Sequence, residues 1–148
     1  MRLFLSVYLL SAILMSACGT LVDAKNQPRL TDYEQAIDSE LIETGIQVYR
    51  ENYCGICHTL TVANTHGTFG PNHDNTGATA PEYIALATYS GEATTPADYI
   101  RESIVNPDIY STPLFEATSH RMPAFSHLSD EDLDAIVYLL INQRLSTD

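Results

Sequence analysis

The chain has 148 residues, 45% of them hydrophobic, with 7 basic against 19 acidic side chains and a formal net charge of −12. That balance excludes a basic nucleic-acid footprint and opposes charge-driven binding to anionic lipid. Three cysteines exclude a dense disulfide framework, and the length allows one domain rather than two.

At the N-terminus, Met1 and Arg2 precede an apolar run from Leu3 to Met15 that is broken only by Ser6 and Ser11. The run is too short to span a bilayer and suits a signal-peptide core, so residues 1–17 read as an export leader. It ends in Met15-Ser16-Ala17-Cys18-Gly19, which resembles a bacterial lipobox and implies lipid attachment at Cys18. Ordinary cleavage after Ala17, leaving a free Cys18, is the alternative. Residues 18–32 are polar, contain Pro28 and lack periodicity, as expected of a flexible tether. Its random-coil reach is on the order of 20 Å. Residues 33–148 form the domain. Losing Arg2 with the leader leaves 6 basic against 19 acidic residues, a balance suited to solubility or to steering toward a basic patch on a partner.

The domain reads as short helices and loops, with no run of strand-like alternation. A first helix is expected from Tyr33 or Leu41 to Tyr53, with Gly45 and Tyr49 on one face and the glycine permitting a close helix crossing. There follows Cys54-Gly55-Ile56-Cys57-His58. Cys-x-x-Cys-His is the attachment sequence of covalent c-type haem, in which two thiols add across vinyl groups and the imidazole binds iron. A thiol–disulfide pair or half of a zinc site are the alternatives; no second ligand pair and no βαβ context supports either. With two cysteines on haem and one on lipid, none is left for a disulfide.

A second helix is expected to open at Thr95-Pro96-Ala97-Asp98, with Thr95 as cap and Pro96 in the first turn, and to stop before Pro107. A last helix opens at Ser129 with an acidic first turn and carries Leu133, Ile136, Val137, Leu140 and Ile141 at helical spacing, a core stripe. Outside the leader the sole methionine is Met122. Arg101, Arg121, Tyr89 and Tyr110 are candidate partners for haem propionates, since buried carboxylates need charged or hydroxyl donors.

The order of these motifs, from about Leu41 to Leu145, resembles the class I c-type cytochromes. Gly45-x-x-x-Tyr49 before the haem motif is similar to the family's N-terminal helix, and Tyr138 stands where an aromatic packs against it. Gly70-Pro71-Asn72 resembles the loop in which the proline carbonyl, here that of Pro71, accepts a hydrogen bond from the proximal histidine. The stretch from Tyr99 to Pro107, then Met122-Pro123-Ala124-Phe125 and Leu128-Ser129, resembles the closing half of mono-haem domains found with terminal oxidases and quinol-oxidising complexes. The resemblance implies an all-α cytochrome c fold of short helices around one covalent haem c, held by Cys54 and Cys57, with His58 and Met122 on the iron. It implies a single-electron carrier with redox-protein partners in a membrane chain, on the outer face of a bacterial membrane. Donors would be a quinol-oxidising complex or a dehydrogenase, and acceptors a terminal oxidase or reaction centre. A fixed haem subunit of a membrane complex, and a sensor or catalyst with a labile distal ligand, are the alternatives. His73 stands where leucine is common, and His120 lies two residues before Met122, so either is an alternative iron ligand.

Overall fold

The computed structural model describes residues 38–144. The leader, Cys18, the tether and the Tyr33 start of the first expected helix lie outside the described residues. Four helices form the frame of the described chain: α1 (Ser39–Glu51), α2 (Thr76–Ile84), α3 (Pro96–Val105) and α4 (Asp130–Ile141). Two-residue strands, Thr59–Leu60 and Thr65–His66, pair antiparallel in the loop after α1. This is an all-α architecture, and among the described residues no helix is long and apolar enough to cross a membrane.

Helix α1 begins at Ser39 because the Asp38 carboxylate accepts from the Glu40 and Leu41 amides. It stops two residues short of the expected Tyr53, which takes a left-handed conformation with φ 57°. The most extensive helix contact is between α1 and α4. Gly45 lies at this crossing, where a Cβ would stand 2.8 Å from Leu139 Cβ and against the Ala135 carbonyl. Tyr138 meets α1 at its start. Its hydroxyl accepts from the Asp38 amide at the mouth of α1, 2.9 Å away.

Helix α3 follows its expected pattern. The Thr95 hydroxyl accepts from the Asp98 amide, and Asn106 leaves helical geometry just before Pro107. Helix α4 is capped by Ser129 Oγ, which accepts from the Asp132 amide at 3.1 Å. Beyond the expected stripe, Ala135 and Leu139 are also buried, so α4 is enclosed on most of its circumference. Its last carbonyls are satisfied by side-chain amides, Asn142 on Tyr138 and Gln143 on Leu139.

Helix α2 has no counterpart in the sequence-based expectation, and Pro81 inside it argues against a helix. Tertiary contacts hold it. The Gly77 amide donates to the Gln143 carbonyl at 2.9 Å, and Ala80 is fully buried. Together the four helices leave an apolar hollow between the Cys54–His73 segment on one side and the loop from Pro107 to Leu128 on the other.

Candidate haem site

The Cys54–His58 segment is fixed by its own backbone. A 3-10 turn over Cys54–Ile56 follows the left-handed Tyr53, and the His58 amide donates to the Cys54 carbonyl at 3.1 Å. Thr65 Oγ1 donates to the His58 carbonyl, and the Gly70 amide donates to the Cys57 carbonyl. This network folds the Gly70-Pro71 loop back over the histidine. His58 Nδ1 lies 2.8 Å from the Pro71 carbonyl oxygen, an acceptor only, so Nδ1 carries the proton and Nε2 keeps its lone pair. Gly70 is needed for this approach, since a Cβ there would stand 2.8 Å from His58 Nδ1.

His58 is the sole charged or polar member of the buried core among the described residues. Burial pulls its pKa below the ordinary histidine value, opposed by the Pro71 carbonyl, which favours the neutral imidazole a metal requires. Burial likewise pushes the Cys54 thiol up to about 11.

Two adjoining cavities of about 420 and 240 Å³ meet at this point. Cys57, His58, His73, Ile104, Met122 and Leu140 line both. Cys54 lines the smaller one with Tyr49, Phe125, Leu128 and Ile136; Pro71, Ile100, Tyr110 and Thr112 line the larger. The sequence-predicted Cys54, Cys57, His58, Pro71 and Met122 are therefore brought together around one hollow. Cys18 lies outside the described residues.

The hollow fits a haem in shape and chemistry. The surface its walls expose is mainly apolar, as a macrocycle needs, with polar side chains confined largely to the larger cavity. Two polar atoms there, Tyr110 Oη and Thr112 Oγ1, are buried without a hydrogen-bond partner. Thr88 lies near Tyr110, but the two hydroxyls do not reach hydrogen-bond geometry. Unpaired hydroxyls are costly in an apolar wall and suit the carboxylates of a bound group. Thr112 was not foreseen in the sequence, where an isolated threonine in a loop carries no signal.

The other candidates separate. Arg101 is engaged with Asp134 in an ion pair between α3 and α4, and Tyr89 donates to the Glu102 carboxylate while accepting from the Ala93 amide. Both expectations of a propionate role are corrected by these partners. Arg121 is exposed beside the larger cavity. His120 stacks on Phe69 at 4.5 Å between ring centroids, His66 is exposed, and His127 lies beside Phe125. His73 stacks face to face on His58, with centroids 4.0 Å apart and planes 14° apart. Two imidazoles binding one iron in trans point nitrogens at each other across the metal, so a face-to-face pair does not fit His73 as the second ligand.

A family profile described as cytochrome c oxidase, cbb3-type, subunit III matches residues 40–140, about two thirds of the chain. The chain belongs to this family. It is a c-type cytochrome with the small all-α cytochrome c fold, and family membership implies covalently bound haem c and haem-based electron transfer. Comparison with curated proteins and with solved structures gave no match. The cytochrome's matched region begins within α1 and ends within α4, the two helices that cross at Gly45.

Proposed function

We propose that this cytochrome carries single electrons at a membrane surface through one haem, attached at Cys54 and Cys57 and ligated by His58 and Met122. The observation that carries the reading is the hydrogen bond from His58 Nδ1 to the Pro71 carbonyl, made by a buried neutral imidazole that lines the same cavities as Met122. Bound there, haem supplies an iron that exchanges one electron between ferric and ferrous states.

Cys54 and Cys57 would hold the haem covalently through their sulfurs, each thiol giving its hydrogen to the vinyl carbon its sulfur does not bond, with no redox change. Pro71 orients His58 and raises its donor strength toward a metal. Met122 offers a neutral, soft sulfur that favours the reduced state. The buried hydroxyls of Tyr110 and Thr112 would donate to the propionates. If His58 and Met122 both held the iron, no position would be left on it for substrate, which favours electron carriage over catalysis.

Absorption spectra test this reading. The oxidised protein is expected to show the weak long-wavelength sulfur-to-iron band, and carbon monoxide is expected to leave the reduced spectrum unchanged. Absence of the band together with rapid carbon monoxide binding would sink the carrier reading in favour of a sensor or catalyst.

The export leader and the Ser16-Ala17-Cys18 site support a lipid anchor that holds the domain at the outer face of a bacterial membrane. Mass spectrometry of the native N-terminus is expected to find acylated Cys18; a free Cys18 would remove the anchor. The acidic balance of the chain supports a partner with a basic docking patch, with a quinol-oxidising complex or dehydrogenase as donor and an oxidase or reaction centre as acceptor. The family's description names an oxidase subunit, which favours a second reading as a fixed haem subunit. Stoichiometric co-purification with an oxidase after mild detergent extraction would support the second reading; recovery alone would support the mobile carrier.

A further inference from the structure

The His58 ring has more neighbours than attachment to iron requires. Its Nδ1 is held by Pro71, yet acceptor geometry at a carbonyl is broad, and the χ2 torsion of a histidine has no sharp well. One hydrogen bond therefore leaves the ring plane loosely set. The His73 ring lies on the face of the His58 ring, 4.0 Å away and nearly parallel, which restrains that loose motion.

His73 is itself anchored twice. Its amide donates to the Thr59 carbonyl at 2.8 Å, tying its backbone to the residue after His58. Its Nδ1 lies 3.1 Å from the hydroxyl of Tyr49, a side chain only 1% exposed in the core of α1. A leucine at position 73 would pack but form no hydrogen bond. The Tyr49 hydroxyl would then be buried with one partner fewer.

We propose that Tyr49 and His73 are positioning residues that set the plane of the His58 imidazole, and with it the magnetic axes of the haem. This rests on the ligation read above. Tyr49 reaches the His58 ring through His73, since its other partner, Thr65, bonds the His58 backbone carbonyl rather than the imidazole, and His73 acts on His58 by stacking. In a low-spin ferric haem the imidazole plane decides which ring positions share the unpaired spin, so a turned or loosened ring moves the ferric g values and the spread of the haem methyl shifts.

The test is electron paramagnetic resonance and proton NMR of the oxidised holoprotein carrying Tyr49→Phe, His73→Phe, His73→Leu or Tyr49→Phe with His73→Leu. Tyr49→Phe is expected to shift the g values and methyl spread modestly. His73→Phe, which keeps a ring but loses the hydrogen bond, is expected to match it. His73→Leu is expected to shift them most, and adding Tyr49→Phe to it is expected to change nothing further. Wild-type g values in both His73→Leu and His73→Phe, with haem attached and the sulfur band intact, would overturn the proposal and leave the carrier reading standing. Wild-type protein without the sulfur band would sink the ligation reading first. Should His73→Leu fail to assemble, Tyr49→Phe and His73→Phe decide the matter.

Discussion

The two walls of the haem cavity are built differently. The wall that carries His58, from Cys54 to His73, is tied in nearly every turn: Thr59 Oγ1 donates to Gly67, Thr65 bridges to His58, and Asp74 accepts from both the amide and hydroxyl of Thr61. The wall that carries Met122, from Pro107 to Leu128, is held mainly by local turns, by one long-range backbone bond from the Phe125 amide to the Ile104 carbonyl, and by the Ser90 hydroxyl, which donates to the Ile109 carbonyl. It contains Leu114, which is 93% exposed and sits at φ 77°, a left-handed conformation that costs a branched residue about 1–3 kcal/mol. The proximal wall is thus fixed by its own hydrogen bonds, while fewer such bonds hold the distal wall.

Gly70→Ala should break the proximal wall most severely. The new methyl meets the His58 ring, which has no room to move because Pro71 and His73 flank it. Gly70 has no positive φ, so the cost is purely one of space, about 1–3 kcal/mol by the usual price of overpacking. Chemical denaturation of the holoprotein should show that loss, with lowered haem content. A variant as stable as the wild type would mean that the loop yields more readily than its hydrogen bonds suggest.

Met122→Leu, the matching change on the distal wall, should separate stability from ligation. The swap nearly conserves volume and should cost less than about 1.5 kcal/mol. The sulfur-to-iron band should disappear and carbon monoxide should bind, while covalent haem is retained. If both the band and carbon monoxide resistance survived, another side chain would be the ligand, and His120, near the cavity mouth, would be the first to replace.

The same contrast governs how much could be read from the sequence. The proximal elements were legible because their chemistry is local: Cys54, Cys57 and His58 are contiguous, and Gly70-Pro71 follows at a spacing that resembles a known loop. The Thr95 and Ser129 caps were legible for a similar reason, since a cap and the amide it serves lie three residues apart. Helix α2 was not, because its hold on Gln143 is made by tertiary contact and Pro81 argues locally against it. Asp38 does not stand out as the start of α1, because the preceding segment offers several acidic residues with no apolar period to choose among them. The Tyr49–His73 bond joins residues 24 apart, and the pairing of Arg101 with Asp134 joins residues 33 apart, so neither has a short-range signature.

Ser129→Ala sharpens the comparison at the far end of the distal wall. Ser129 Oγ closes the first turn of α4 directly after the Met122 loop, and loss of such a cap costs about 1 kcal/mol. Hydrogen exchange should show the cost as faster exchange at Asp132 and in the loop before it, with the Gly70 and His73 amides unchanged. Equal acceleration on both walls would mean that they open as one unit.

Alkaline pH offers the mildest way to separate the walls, because the tyrosines are unevenly placed. Tyr83, Tyr89, Tyr99 and Tyr110 form a cluster beside the distal loop, with the Tyr89 and Tyr110 ring centroids 5.1 Å apart, whereas the proximal wall has Tyr49 alone in its core. Burial, and then the hydrogen bond to Glu102, push the Tyr89 phenol up to about 12. Burial also raises Tyr99 and Tyr110. A phenol whose pKa is higher folded than unfolded holds its proton more tightly in the native state. Its contribution is therefore intact below the ordinary value of 10 and is lost as pH rises through the folded value. Stability should be flat approaching pH 10 and fall between about pH 10 and 12. Tyr89→Phe should lower stability at neutral pH by about 1 kcal/mol through its lost hydrogen bonds, yet make the alkaline fall shallower. An unchanged alkaline slope in Tyr89→Phe would assign the fall to Tyr99, Tyr110 or Tyr49 instead. Loss of the sulfur band before loss of haem absorption during the titration would locate the first opening on the distal wall.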